Sequence, residues 1–109
     1  VLMFQTAMIE QALRQVHVPV FHFYAFHKAD RYVVWAEDGE GEELAADNQK
    51  VGQVLSGTID FFTRTENDPA IVEIQTALEN AEISYYLNSV QYEEETRYIH
   101  YEWRWEVVG

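Results

Sequence analysis

At 109 residues the chain has room for one domain, and an aromatic share of 15% supplies bulky core material. It contains no cysteine, which excludes disulfides, thiol nucleophiles and thiolate metal sites. A formal net charge of −12 disfavours gripping nucleic-acid phosphate or an anionic membrane, since both run on Lys and Arg. No apolar run reaches the roughly 18 residues of a membrane-spanning helix. Acidity of this kind suits a surface that lets DNA pass without holding it, or one that meets basic partners; for the charge alone, plain solubility is the preferred reading.

Residues 1–7 are apolar but lack the basic start and longer apolar run of a secretory signal. The Phe4-Gln5 pair resembles the remnant of a protease-cleavable tag, so the natural start is expected at Met8 and the domain over 8–109. Met8, Ile9, Ala12, Leu13 and Val16 recur at helical spacing and predict a short first helix. It ends at His17-Val18-Pro19, because the residue before a proline is pushed out of the α region. Residues 20–26 and 32–36 read as strands rich in aromatic and β-branched side chains, with a polar turn at 27–30, and are expected to form a hairpin. Residues 37–49 carry Glu37, Asp38, Glu40, Glu42, Glu43 and Asp47 with no cation before Lys50. Such a like-charged, glycine-bearing run is expected to be an exposed, mobile loop.

Residues 51–64 predict a third strand with Leu55, Gly57, Ile59 and Phe61 on the more apolar face, and Gly52 or Gly57 as a bulge position. Asp68 and Pro69 announce a second helix over 69–81: the carboxylate caps orphan N–H groups, and proline loses nothing at the first helical position. Ile71, Ile74, Leu78 and Ala81 form its apolar stripe. Strands at 84–92 and 96–107 follow, joined at the charged tip Glu93-Glu94-Glu95. Alternation of Ile99, Tyr101, Trp103, Trp105 and Val107 against Tyr98, His100, Glu102, Arg104 and Glu106 makes the last strand the clearest of all. The expected fold is α+β, in the order α-β-β-β-α-β-β, with a mainly antiparallel sheet and both helices on one face.

No constellation points to catalysis. His17, His22 and His27 are spaced by five, and the last two fall on opposite faces of a regular strand, so no metal site is expected. Nine of the 19 acids lie in the 37–47 run or the 93–95 tip, where both members of any pair are solvated; general acid–base work needs one carboxyl in an apolar pocket. No serine or threonine sits in a nucleophile elbow, and Gly39-Glu40-Gly41 is too short and too acidic to cradle phosphate. The reading is a non-enzyme with no cofactor. The Tyr101-Trp103-Trp105 stripe is core or, where exposed, a subunit contact.

Several passages resemble a family, the tail-completion or tail terminator proteins (also called head–tail joining or minor capsid proteins) of long-tailed phages and prophages. Val18-Pro19-Val20-Phe21-His22-Phe23 after a short helix is similar to the family's opening, and Tyr32-Val33-Val34-Trp35 to its second strand. Ala46-Asp47-Asn48 before a strand ending Ile59-Asp60-Phe61-Phe62-Thr63 resembles its Ala-Asp-Asn passage. Asn67-Asp68-Pro69 resembles its Lys-Asp-Pro helix entry, and Tyr85-Tyr86 with Tyr92-Glu93 its strand hairpin. The family's tyrosine after Asp-Asn is replaced here by Val51 or Val54, and its basic residue before Asp-Pro by Asn67.

The resemblance implies a structural protein of the virion head–tail junction, assembled in the bacterial host cytoplasm. It implies a ring, typically a hexamer, that caps the tail tube, joins it to the head connector and lets DNA pass through its lumen. The implied partners are other copies of the chain, the tube protein and the connector protein, with no membrane. Candidate contact residues are Glu37, Asp38, Glu40, Glu42, Glu43, Asp47, Asn48, Arg64 and Arg104, with the 37–47 run at ring contacts or the lumen. The alternative from the charge alone is a small acidic DNA mimic that occupies a basic partner protein.

Overall fold

The computed structural model describes residues 2–40 and 54–108. Among these the order is α1 (Leu2–Leu13), β1 (Val20–His22), β2 (Tyr32–Glu40), β3 (Val54–Thr63), α2 (Ala70–Asn80), β4 (Ser84–Tyr92) and β5 (Ile99–Val108). This is the α+β arrangement and element order expected from the sequence. The strands form one sheet in the spatial order β1-β2-β3-β5-β4. The β2–β3, β3–β5 and β5–β4 pairs are antiparallel.

Alternation decides the faces. In β5, Trp103, Trp105 and Val107 point to one side and are at most 2% exposed. Their neighbours Ile59 and Phe61 of β3 and Val33 and Trp35 of β2 join them. Helix α2 supplies Ala70, Ile74, Ala77 and Leu78 to the same cluster, and Ile9, Ala12 and Leu13 of α1 pack there with Val16. Both helices therefore cover one face, and the other face is left uncovered by them. Helix α2 stops where Glu82 takes φ +59° and Ile83 N–H reaches back to Leu78 O at 2.9 Å, the left-handed cap that satisfies the last carbonyls.

Gly57 earns its place by close approach rather than by a bulge. A Cβ there would collide with Ala36 O and with the indole ring of Trp105, its register partner. That indole lies across β3 and donates from Nε1 to Thr58 O at 2.9 Å. The irregularity expected at Gly57 sits instead on the facing strand, between Glu37 and Gly39, where Gly39 adopts φ +153°. A second irregularity lies between Leu87 and Ser89 of β4. Gly52 lies outside the described residues.

Three expectations change. First, β1 and β2 do not form a hairpin: they pair in parallel, Val20 opposite Val33 and His22 opposite Trp35. Strand β1 ends at His22 rather than continuing to Phe26. Phe23 turns into the left-handed region at φ +71°, and Tyr24 N–H closes back on His22 O at 2.9 Å. The chain then returns to the starting end of β1 before β2 begins. Tyr98 Oη holds that return by donating to Ala29 O at 2.5 Å. Second, Glu37 to Glu40 extend β2 instead of opening a loop. Third, α1 starts at Leu2, ahead of the helical pattern read from Met8 onward. Gln5 in this first part of the helix is fully buried and donates from Nε2 to Val107 O at 3.0 Å.

Candidate functional site

The candidate contact residues separate into two groups. Glu37 and Asp38 lie at the end of β2, and Arg104 on β5 reaches the second of them across β3. Arg104 Nη1 and Nη2 donate to the two Asp38 oxygens at 2.5 and 3.1 Å, a bidentate fork. The hydrogen bond with Asp38 raises the guanidinium pKa above its ordinary value. Ser56 Oγ donates to Gly39 O at 3.2 Å beside this pair. Glu37 points to the other side of the sheet, where its Oε1 lies 2.6 Å from His22 Nε2. His22 in turn stacks on Trp35, with ring centroids 3.9 Å apart. Glu40 is exposed at the end of β2. Glu42, Glu43, Asp47 and Asn48 lie outside the described residues.

Arg64 belongs to the opposite end of the sheet, just past β3. Its Nε donates to Thr96 O at 2.9 Å, its Nη1 to Asp30 at 3.0 Å, and its guanidinium lies 4.1 Å from the Tyr98 ring centroid. It ties the β1–β2 connection to the β4–β5 hairpin. The open face between these ends carries a stack of rings: Tyr32 on Phe62 at 4.8 Å and Phe62 on His100 at 4.2 Å. His100 Nε2 lies 2.7 Å from Asp60 Oδ1. The Asp60 hydrogen bond raises the His100 pKa, against the lowering effect of its burial.

The strongest ionic arrangement is one the sequence reading saw only in part. Asp68 is expected to cap α2, and its Oδ1 does accept from Ala70 N–H at 2.9 Å. The same carboxylate also takes Arg31 Nε and Nη2, both at 2.7 Å, and Thr63 Oγ1 at 2.7 Å. Its side chain is fully buried. Burial pushes the carboxyl pKa up, but the hydrogen bonds from Arg31, Thr63 and Ala70 outweigh it and hold the group at about 2. A carboxylate so saturated is an anchor, and its permanent ionisation is the opposite of what a general acid needs. Arg31 stands 37 positions away in sequence, and only the parallel return of the β1–β2 connection brings it here. Among the described residues no group of three or more His, Cys, Asp or Glu side chains is placed to hold a metal ion. No helix among them is long and apolar enough to cross a membrane.

The two borders of the sheet carry most of its exposed apolar side chains. On β4 these are Tyr86, Leu87, Val90 and Tyr92, each 46–61% exposed. Beside β1 they are Phe23, Tyr24 and Phe26, each 57–78% exposed. Sequence reasoning placed β4 as a strand but missed it as a surface. The signal was present: Ser84–Tyr92 contains no charged residue, in a chain where 24% of residues are charged. Compared with known proteins, the chain matches no protein-family model, and no curated protein matches it.

Proposed function

We propose that the chain is a structural, ring-forming subunit of the tail terminator kind, which caps a phage tail tube and joins it to the head connector while DNA passes through. The observation that carries this reading is the pair of unlike apolar borders at opposite ends of one sheet. Surfaces that differ from each other meet head to tail, and head-to-tail contacts close into rings when the rotation fits. The resemblance at Val18–Phe23, Ile59–Thr63 and Asn67–Pro69 supplies the tail terminator identity within that class.

The charge distribution is compatible with a DNA conduit. Asp38, Asp60 and Glu102 share the open face of the sheet with Arg104 and His100, and an excess of carboxylates along a lumen repels the phosphate backbone. Acids of residues 37–47 contribute to ring contacts or to that lumen in the same reading. Electron microscopy with native mass spectrometry over a rising concentration series tests it. The expected result is a closed ring with a central hole, at the mass of about six subunits. A chain that stays monomeric and binds a basic protein in a salt-sensitive way contradicts it and favours the DNA mimic.

A further inference from the structure

Edge strands are usually defended. Natural sheets blunt them with Lys, Pro, short length or strong bulging, because an open row of N–H and C=O groups recruits any passing strand. Strand β4 has nine residues, no Lys, no Pro and no charge at all. Among the described residues nothing pairs with its outer side. Its irregularity at Asn88 leaves regular pairing on either side, Ser84 to Leu87 and Ser89 to Tyr92.

Resting on the ring reading above, we infer that β4 is the subunit-joining strand: it adds in antiparallel fashion to the β1 border of the next copy, making the sheet continuous around the ring. The charge argues for a second copy as the occupant. Two chains at −12 repel, so they meet best where neither carries charge, and β4 is such a surface. A basic partner would gain nothing from an uncharged strand. Strand directions argue for β1 as the acceptor. β1 and β2 run one way, β3 the other, β5 back and β4 opposite to β1. Repeating the subunit around an axis along the strands therefore sets β4 antiparallel to the next β1, with Tyr86 near the neighbour's Tyr24. The alternative, β4 against β4 about a two-fold axis, brings Glu82 of each copy to the Glu93-Glu94-Glu95 turn of the other, and like charges oppose it.

Cross-linking tests this directly, because the chain has no native cysteine. Tyr24→Cys and Tyr86→Cys are made singly and together, checked for native circular dichroism, and treated with a short-armed bis-maleimide. Within one subunit the two sites are at opposite borders, four strand spacings or about 19 Å apart, too far for the arm. The double variant is expected to give a covalent ladder of oligomers and each single variant only monomer. Dimer from Tyr86→Cys alone overturns the inference in favour of two-fold pairing. A ring mass without any ladder from the double variant overturns it too, while leaving the ring reading intact. A wild-type chain that shows no ring at any concentration sinks the ring reading itself. A second variant, Leu87→Lys, is expected to reduce the ring to single subunits while keeping the native fold; a ring of unchanged mass counts against the β4 contact.

Discussion

The Asp68 cluster and the β4 border handle polarity in opposite ways. At Asp68 a charge is buried completely, yet both carboxylate oxygens are engaged by Arg31, Thr63 and the Ala70 N–H. At β4 there is no charge, yet a whole row of backbone groups stands without a partner strand among the described residues. The first is self-sufficient: it locks the β1–β2 connection, the end of β3 and the start of α2 into one corner. The second is an open edge, able to accept a further strand. An unpaired strand edge of this kind is where an interaction surface is best sought.

The largest effect expected from breaking the self-sufficient side is Asp68→Asn. It weakens the charge-assisted hydrogen bonds from Arg31, itself 38% exposed and able to turn to water, and should cost about 2–3 kcal/mol of unfolding free energy, measured by urea denaturation. Gly57→Ala comes next, because its methyl group meets Ala36 O and the Trp105 ring with no room to yield; a loss of about 1–3 kcal/mol is expected in the same assay.

Acid should act on the wild type through Asp68. Its folded pKa of about 2 lies below the ordinary value of 3.8, so the stability it contributes is present above pH 3.8 and is lost as pH falls toward 2. The loss is about 2 kcal/mol, read from denaturation midpoints between pH 5 and pH 2, and should be absent in Asp68→Asn. His100 works in the other direction. Its pKa is raised by Asp60, so its contribution is full below the ordinary value of 6.5 and fades as pH rises through the folded value. Asp60→Asn should remove that alkaline-side decline. The smallest effect on stability belongs to Leu87→Lys on β4, within about 0.5 kcal/mol, as expected of an exposed strand position. Contrast between a small stability change and a full loss of assembly is what separates the two regions.

Much of the fold was legible in the sequence because its signals were local. The alternation of β5, the Asp68-Pro69 entry and the stripe of α2 each reside within about ten neighbouring residues. The pairing of β1 was not legible, since direction depends on where the 23–31 connection is held. Its anchors are distant in sequence: Tyr98 to Ala29, Arg64 to Asp30 and Arg31 to Asp68. The same is true of the sites. Asp68 reads as a cap from two residues, but its Arg31 partner is visible only after folding. Asp38 and Arg104 were each named as contact residues, and folding spends them on one another. The β4 border left a legible trace, a charge-free stretch in an acidic chain, whose meaning depended on learning that β4 is the last strand of the sheet.

The central claim is that unlike borders of one sheet join copies of this chain into a ring. Native mass spectrometry of the wild type beside Leu87→Lys, at matched high concentration, tests it most directly. The account predicts a closed oligomer for the wild type and single subunits for the variant; one and the same mass for both proteins would contradict it.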